Sequence, residues 1–492
     1  MTEVTTALDE ESPRQRPISS RTTLAALVTL VLIALGDFLT FGHAPGLNLF
    51  IFAIAGMLGI VAGHPKRSSI KSTAITFALS VAAALPLIEA PSLVAAGLAS
   101  IGLAVLALVR ARLVPARLTA LPLTLCRFAL RAPLRLVADL SVAASRGLGL
   151  RLARGLVIWI IPAALALVFL GLFWSANPVL ADLLGKFDAS LLDPSRMAFW
   201  LGIAIVAWPL LRPRLKRWRT RPAIRAAAMP AAANLLFGQA AILRSLALFN
   251  ALFAVETGLD LTYLWGGVAL PDGMSHAEYA HRGAYPLIVT ALLAAVFVLV
   301  AMRRNGPAVG SALIRGLVYA WIAQNILLCI SSILRLEQYV EAYSLSELRI
   351  AAGIWMALVA AGLGLILLRI LFRRSNEWLV AMNLATLALT LYVCAFLDFS
   401  ALIAEFNVRH SAELTGTGAS LDICYVEALG PSTIPALDLY IAAPKGRLNE
   451  ANSCDPEQVR GQLATEFAAR DHDWRSWNFR DWRLAQYLGS HP

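Results

Sequence analysis

Long apolar runs separated by short connectors fill the sequence from about residue 23 to residue 397, and every second connector is rich in arginine or lysine. The connectors 63–71 and 212–219 are two examples. A helix that crosses a bilayer needs about 20 mostly apolar residues, and the loops that stay in the cytoplasm carry an excess of Lys and Arg. The alternation therefore predicts an all-α, polytopic transmembrane helical bundle.

The composition agrees with a lipid environment. Of the 492 residues, 58% are hydrophobic and 15% are charged, whereas soluble domains are about 45–50% apolar and about 25% charged. The net charge of +11 is also compatible with a nucleic-acid partner. However, the basic residues lie in short loops beside apolar runs and not in one basic domain with interleaved aromatics. We expect membrane lipids as partners, and no nucleic acid.

About eleven apolar runs are interpreted as spans. They are 23–41, 46–62, 72–88, 91–109, 155–173, 197–211, 234–255, 286–302, 316–333, 350–368 and 378–397. With the N-terminus in the cytoplasm, the cytoplasmic connectors hold 28 Lys and Arg residues and the outer loops of the bundle hold 5. This bias predicts a multi-pass protein of the bacterial cytoplasmic (inner) membrane with its N-terminus inside. The odd span number then places the C-terminus outside.

The sequence accordingly divides into five segments. Residues 1–22 mix both charge signs and are expected to be a disordered cytoplasmic tail, and residues 23–109 hold the first four transmembrane helices. Residues 110–154 are an arginine-rich cytoplasmic segment, and residues 155–397 hold seven further transmembrane helices. Residues 398–492 are expected to form a small, helical, extracytoplasmic tail domain.

The segment 110–154 contains nine arginines and a single acid, Asp139. The prolines expected to break it into short helices are Pro115, Pro122 and Pro133. Apolar residues between arginines are typical of helices that lie in the interface, with arginines on the anionic headgroups of the cytoplasmic face. The arginines assigned to headgroup contact are Arg127, Arg131 and Arg135. Docking of a cytoplasmic partner is a second possibility, and a simple anchor that maintains span orientation is the interpretation we favour.

The tail is expected to form short helices at about 398–412, 419–429, 432–442, 456–470 and 480–488. Cys424 and Cys454 are the only cysteines on the predicted outer side, where thiols can oxidise. We expect them to be close or bonded. Two unpaired cysteines are the alternative, since spacing alone does not show geometry.

Three tryptophans of the tail, Trp474, Trp477 and Trp482, stand among arginines. Tryptophan with arginine suits a membrane-interface belt, and it equally suits the core of a small domain packed on the spans. We favour the packed domain because the tail is too polar to lie in lipid.

Arg244 lies in the middle of the seventh predicted span. A charge there is unfavourable unless it is paired or hydrated, so Arg244 is expected to face the bundle interior. The candidate partners are Asp37, Glu256 and Asp398. Such a residue serves either as an anion or substrate site, or as half of an ion pair that fixes helix packing.

The loop after this span is the richest polar stretch of the bundle. Its candidate functional residues are Glu256, Glu278, Tyr279, His281 and Arg282. Ser275 and Glu278 have capping-box spacing, so a helix is expected to start there. A carboxylate near histidine and arginine suits acid–base work or anion binding, and a helix-start anchor at headgroup level uses the same residues.

Several stretches carry a family resemblance. They are 36–42 with 45–49, 248–253 with 263–267, 277–283, and finally 403–407, 421–425 and 434–437. In that order they resemble the bacterial multi-spanning membrane proteins grouped as "domain of unknown function 4153/4173". This chain departs in having His281 for an expected arginine, Trp265 for phenylalanine and Phe406 for tyrosine. The resemblance implies a multi-spanning protein of the cytoplasmic membrane and implies no reaction.

Our leading interpretation is a non-enzymatic protein of envelope sensing, assembly or accessory type, with an envelope or signalling protein as a possible partner. It would act through the outer loop 256–285 and the outer tail. One alternative is a transporter with Arg244 in its substrate path. Another is a lipid-linked transferase that uses Asp37 or Glu278. No catalytic residue, cofactor or metal is assigned, since the spacing of His276 and His281 does not match a zinc-binding helix.

Overall fold

The computed structural model describes residues 20–63, 69–115, 117–145, 193–214, 239–262, 289, 293, 311–443, 454–471 and 473–491. Helices hold most of these residues, and no strand occurs among them. The predicted all-α class is confirmed. The described residues fall into two compact units. The first takes its residues from 1–116, 120–217 and 472–478, and the second takes the remainder.

The first unit is a bundle of apolar helices. Its helices are α1 (Ser20–Thr40), α2 (Leu47–Gly63), α3 (Ile70–Ala84), α4 (Pro86–Glu89), α5 (Leu93–Ala111), α6 (Leu121–Ser145) and α7 (Pro194–Leu211). Met57, Ile60 and Leu106 lie at its core. Helices α3 and α5 approach closely because Gly102 has no side chain: a Cβ there would lie 3.2 Å from the Cα of Ser80. Small residues allow this kind of contact between membrane helices.

The second unit joins four long helices to the tail. Its long helices are α8 (Gln239–Asp260), α9 (Ala312–Tyr343), α10 (Glu347–Leu371) and α11 (Asn376–Cys394). The tail helices are α12 (Phe399–Arg409), α13 (Ala412–Thr415), α14 (Ile423–Ala428), α15 (Ile434–Ile441), α16 (Pro456–Ala468) and α17 (Phe479–Ser490). Single 3-10 turns occur at Leu118–Ala120 and Pro431–Thr433. Trp321 of α9 lies in the core of the long helices, with the rings of Phe249 and Phe253 centred 5.8 and 6.2 Å from it.

Eight helices of the described part are long and apolar enough to cross a membrane, and a ninth, Leu47–Gly63, is apolar but shorter. The protein is therefore a multi-pass membrane protein. These nine helices correspond to nine of the eleven predicted spans. The predicted spans 155–173 and 286–302 lie essentially outside the described residues.

Two predicted loops are wrong. Helix α8 continues to Asp260 and helix α9 continues to Tyr343, whereas the sequence pattern ended the spans at 255 and 333. Glu256 and Arg335 are thus helical residues. Hydropathy underestimates these helices because their last turns carry charged side chains.

The prediction that prolines break the segment 110–154 into short pieces is wrong for Pro122 and Pro133, whereas Pro115 lies between α5 and the turn at Leu118–Ala120. Helix α6 runs through Leu121–Ser145 with Pro133 inside it, and Pro122 falls in its first turn. A proline in the first turn removes no intrahelical hydrogen bond, and one inside a helix removes a single bond. The packing of α6 along α7 holds the helix together in spite of that loss.

The tail has a hydrophobic core of its own, which includes Leu421, Leu437 and Leu463. Helix α16 begins where the sequence Asp455-Pro456-Glu457 predicts, with Asp455 as its N-cap. A disulfide joins Cys424 to Cys454, whose Cα atoms are 5.5 Å apart. This bond connects α14 to the start of α16.

The tryptophans of the tail lie outside that core. Trp474, Trp477 and Trp482 are all exposed, so the favoured interpretation that they form the core of the tail is wrong. Aliphatic side chains together with Tyr440 and Phe467 fill the interior, and the ring of Trp482 stacks instead on Phe479. The alternative, a membrane-interface belt, stays a prediction.

Candidate functional site

Asp37, near the end of α1, accepts hydrogen bonds from two residues of α7. Its Oδ1 accepts from Arg196 Nε at 2.7 Å and from Trp200 Nε1 at 2.8 Å, and its Oδ2 accepts from a second nitrogen of Arg196. The side chains of Asp37 and Arg196 are only 14% and 19% exposed. We call these three residues the Asp37 cluster. Both carboxylate oxygens are in use, so the cluster ties α1 to α7.

The start of α7 positions both donors. Asp193 caps the helix by accepting a hydrogen bond from the Ser195 N–H at 2.9 Å, and Pro194 occupies the first helical position, where a proline is tolerated. Arg196 and Trp200 are four residues apart and therefore share one face of the helix. The helix start thus directs both side chains towards α1.

The loop between α1 and α2 is held by a buried asparagine and a glycine. The Asn48 amide donates to the Leu39 and Ala44 carbonyls at 3.1 and 2.9 Å, and its oxygen accepts from the Gly46 N–H at 2.8 Å. A Cβ on Gly46 would lie 2.3 Å from the carbonyl oxygen of Ser476. Glycine is therefore required for the close approach of residues 473–478.

Backbone hydrogen bonds and one arginine complete this contact inside the first unit. The Leu47 N–H donates to the Trp477 carbonyl at 2.7 Å, and the Asn48 N–H donates to the Arg475 carbonyl at 2.9 Å. The Arg475 guanidinium lies 4.2 Å from the ring centre of Phe38 and bonds to the His43 ring. The arrangement is a docking contact, since backbone hydrogen bonds and the Arg475 side chain both join residues 473–478 to α1 and the loop after it.

In the second unit, Arg335 of α9 binds two carboxylates of α8. It forms an ion pair with Asp260 and lies 3.5 Å from Glu256. Asp260 and Arg335 are buried, whereas Glu256 is partly exposed. Glu256 and Asp260 are four residues apart, so both face the same neighbour. Glu256, a predicted functional residue, thus belongs to a helix–helix tie.

Arg244 does not face the interior of the second unit, so the expectation for it is wrong: its side chain is exposed. Ile242 and Leu246 mark the buried face of α8. A residue two positions from each points about 200° away from them, since an α-helix turns about 100° per residue. In the described part of the chain no acid pairs with Arg244.

The three acids considered as partners of Arg244 are bound elsewhere. Asp37 meets Arg196 and Glu256 meets Arg335. Asp398 caps α12 by accepting from the Ala401 N–H at 3.1 Å, and it pairs with Arg480 at 3.2 Å. An acid near a span end is thus matched by an arginine of the helix that packs beside it.

Asn407 of α12 fixes the tail to the turn between α9 and α10. Its side-chain oxygen accepts from the Leu345 N–H at 2.6 Å, and its amide donates to the Leu345 carbonyl at 2.9 Å. The Tyr425 hydroxyl accepts from the Glu347 N–H at 3.1 Å nearby. These bonds satisfy backbone groups that a turn would otherwise leave to water.

Asp139 of α6 lies against the last turn of α7. It accepts from Trp208 Nε1 at 3.1 Å and from Arg214 at 2.9 Å, and it lies 3.3 Å from Arg212. Arg135, one turn earlier on α6, donates to the carbonyl of Arg214. We call Asp139 and these four residues the Asp139 cluster. Two arginines thus contact the one carboxylate, and a third binds the backbone beside them.

Four predicted functional residues lie outside the described part of the chain: Glu278, Tyr279, His281 and Arg282. Arg127, Arg131 and Arg135, assigned to headgroup contact, recur every fourth residue along α6, which places them on one side of that helix. Their contact with lipid stays a prediction.

The charged groups of these clusters mainly hold helices together. The carboxylates of Asp37, Asp260 and Asp398 each meet an arginine, and such charge-assisted pairs are strong and directional. Within the described ranges no group of three His, Cys, Asp or Glu residues is placed to hold a metal. The Asp139 cluster differs, since its positive charge exceeds its negative charge.

The sequence analysis did not identify the arginine partners of these acids, although the scarcity of basic residues on the predicted outer side was a signal. Arg196, Arg335 and Arg349 are three of only five basic residues on the predicted outer side of the bundle. Each has a defined partner, and Arg349 donates to the Tyr343 carbonyl at 2.6 Å. A basic residue in a connector that otherwise lacks them therefore indicates a specific contact.

A family model described as "Domain of unknown function (DUF4153)" matches residues 22–440. The match runs from α1 into α15 and agrees with the resemblance found in the sequence. No curated protein and no solved structure matches the chain.

Proposed function

We propose that this chain, which belongs to the DUF4153 family because the family model matches most of its length, is a non-enzymatic accessory protein of the bacterial cytoplasmic membrane. Its N-terminus is cytoplasmic and its tail extracytoplasmic. The tail acts in envelope assembly or sensing by presenting a fixed surface to an envelope protein.

The observation that carries this proposal is that several residues of the stretches with the family resemblance hold parts of the chain together. Gly46 and Asn48 build the docking loop, and Asn407 fixes the tail. The amide of Asn250 donates to the Leu317 carbonyl at 3.1 Å and so joins α8 to α9. Side chains whose amide groups bond to the backbone of a neighbouring helix or turn support a scaffold more than a reaction centre.

The disulfide supports the orientation. Structural disulfides persist in oxidising compartments and are rare in the cytosol, so the Cys424–Cys454 bond favours an extracytoplasmic tail. The excess of Lys and Arg on the opposite connectors favours the same orientation. These two arguments are independent, since one rests on redox chemistry and the other on charge.

Cysteine labelling in intact cells tests the orientation. Cys329 and Cys394 are first replaced by serine. A membrane-impermeant maleimide is then expected to label Cys454 only after reduction, without permeabilisation. Cys126, which is exposed and free, is the matched control and is expected to react only in permeabilised cells. Labelling of Cys454 that requires permeabilisation would contradict the orientation.

Complementation tests the role. In a deletion strain we expect increased detergent sensitivity and dye uptake, which the wild-type gene corrects. Asp37→Asn and Glu278→Gln, which remove a carboxylate while keeping its shape, are expected to complement. Asn407→Ala is expected to fail because it releases the tail anchor. Asn383→Ala is the matched control, since the amide of Asn383 donates within α11.

Every variant is quantified in membranes so that loss of protein is distinguished from loss of activity. A well-accumulated Glu278→Gln or Asp37→Asn protein that fails to complement would indicate a transferase. Failure of an accumulated Arg244→Ala protein would indicate a transporter. An intact envelope in the deletion strain would contradict the accessory role itself.

A further inference from the structure

The Asp139 cluster carries more positive charge than it neutralises. Arg212 and Arg214 meet the Asp139 carboxylate, and Arg135 joins them through the carbonyl of Arg214. Three guanidinium groups and one carboxylate leave a local charge of +2. The side chains of Asp139 and Arg212 are only 11% and 16% exposed, whereas Arg214 is 52% exposed. Burial lowers the pKa of the Arg212 guanidinium, and the neighbouring Arg214 lowers it further, while Asp139 raises it. The guanidinium groups therefore repel one another at a site that is partly shielded from solvent.

An apolar groove of about 410 Å³ lies along α7. Phe199, Ile203 and Val206 line it on α7, and Phe52 and Leu103 line it from α2 and α5. Its volume falls in the range of about 300–1,000 Å³ that is typical of sites for small ligands. Leu211, its last lining residue on α7, directly precedes Arg212.

The length of the groove matches one leaflet. From Phe199 to Leu211 an α-helix rises about 18 Å at about 1.5 Å per residue. One leaflet accounts for ~15 Å of a hydrocarbon core that is ~30 Å thick. An acyl chain whose headgroup lies at the arginines would therefore reach to about the other end of the groove.

We infer that this end of α7 is a binding site for an anionic phospholipid, with its phosphate at Arg135, Arg212 and Arg214 and one acyl chain in the groove. Arginine forks match the paired oxygens of a phosphate. The phosphate charge offsets the repulsion among the guanidiniums, and Asp139 holds Arg212 and Arg214 in place. The site does not depend on the accessory role of the tail.

A soluble phosphate can make the same contacts to the arginines as a phospholipid headgroup. The apolar groove distinguishes the two ligands. A soluble anion uses only the arginines, whereas a phospholipid also covers the apolar surface between Phe199 and Leu211. A zwitterionic lipid covers the groove but does not offset the charge. Binding therefore requires both the anionic headgroup and the hydrocarbon chain.

The test uses the full-length protein purified in a neutral detergent, with lipid binding followed by native mass spectrometry and by thermal unfolding. Phosphatidylglycerol is expected to bind at least about tenfold more tightly than phosphatidylcholine, since charge-assisted bonds to arginine distinguish them. Excess inorganic phosphate is expected to stabilise the protein little. Equal binding of the two lipids, or full stabilisation by inorganic phosphate, would overturn the assignment.

Two pairs of variants separate the headgroup from the chain. The double variant Arg135→Gln with Arg214→Gln is expected to lose about tenfold in phosphatidylglycerol affinity. Arg409→Gln, which removes an exposed arginine of the tail, is the control and is expected to change nothing. Equal affinities in both proteins would refute the arginine site.

Gly202→Leu tests the groove, because Gly202 lines it and a Cβ there meets nothing within 4 Å. The new side chain is expected to fill the groove and weaken phosphatidylglycerol binding several-fold while the protein folds normally. Gly316→Leu, another open glycine in a span, is the matched control. Unchanged binding in Gly202→Leu would place the acyl chain elsewhere and contradict the assignment.

Discussion

The two ends of α7 carry the same kinds of side chain in different proportions. At its start, the Asp37 cluster combines one aspartate with one arginine and one tryptophan. At its end, the Asp139 cluster combines one aspartate with one tryptophan and three arginines. The first is balanced in charge and the second is not.

This difference separates a structural tie from a site with capacity to bind. In the Asp37 cluster both carboxylate oxygens are bonded and the charges cancel, so the cluster holds α1 against α7 and attracts nothing further. In the Asp139 cluster one carboxylate meets two guanidiniums, and a third, that of Arg135, lies at the carbonyl of Arg214. This arrangement leaves positive charge for an external anion. The number of arginines around an acid is thus more informative than the presence of the acid.

The largest expected effect is at the balanced end. Asp37→Ala leaves a largely buried arginine without its partner, and breaking such a pair typically costs about 3 kcal/mol. We expect that loss in the free energy of unfolding, measured by denaturant titration in detergent micelles. Asp193→Ala is the control on the same helix start, since losing an exposed N-cap is expected to cost clearly less than breaking a buried ion pair. Equal effects of the two would show that the Asp37 cluster contributes little.

Gly46→Ala tests the docking loop that follows the balanced end. Its Cβ would lie 2.3 Å from the Ser476 carbonyl oxygen, and backbone must shift to relieve this overlap. We expect a loss of about 2 kcal/mol in the free energy of unfolding, as for other overpacked sites. Gly97→Ala, which has open space around its Cβ, is expected to be neutral or stabilising because alanine favours helix. A neutral Gly46→Ala would contradict the close approach.

Asp139→Asn tests the unbalanced end. The amide keeps the shape and one acceptor, so the expected loss in the free energy of unfolding is only about 1 kcal/mol. The variant raises the local charge, and phosphatidylglycerol is therefore expected to stabilise it more than it stabilises the wild-type protein. Thermal unfolding with and without the lipid measures this. A smaller lipid effect in the variant would mean that the excess positive charge does not drive the binding of the lipid.

The smallest expected effect is at an exposed ion pair of the tail. Arg409 and Glu405 form an ion pair one helical turn apart on α12, and both side chains are more than half exposed. Such pairs contribute about 0.3 kcal/mol, so Arg409→Gln is expected to leave the free energy of unfolding almost unchanged in the same titration. A loss comparable to that of Asp37→Ala would mean that burial does not set the strength of these pairs.

Much of the fold is predictable because a segment that faces lipid must consist mostly of apolar residues. Helices α1, α5 and α10 lie within a few residues of the predicted spans 23–41, 91–109 and 350–368. The errors occur where charge enters a helix, as at Asp260 and Arg335, which hydropathy assigns to loops. Helix α6 shows the same weakness, since its packing against α7 outweighs the local effect of Pro133.

The candidate site is less predictable. Asp37 and Glu256 form ion pairs, but the partner proposed for both, Arg244, is exposed and pairs with neither. Cys424 and Cys454 were expected to be close or bonded because they are the two cysteines on the predicted outer side, and they form a disulfide. That pairing was predictable because it left a single combination. Arginines are too numerous for matching by elimination.

The sequence by itself determined that this protein crosses the membrane repeatedly, and where its spans and its polar tail lie, because hydropathy is a property of each segment alone. Only the tertiary structure decided which charges meet. Asp37 and Arg196 are 159 residues apart, and nothing local to either specifies the other. Their pairing follows from the packing of α1 against α7, as the excess charge at the far end of α7 follows from the packing of α6.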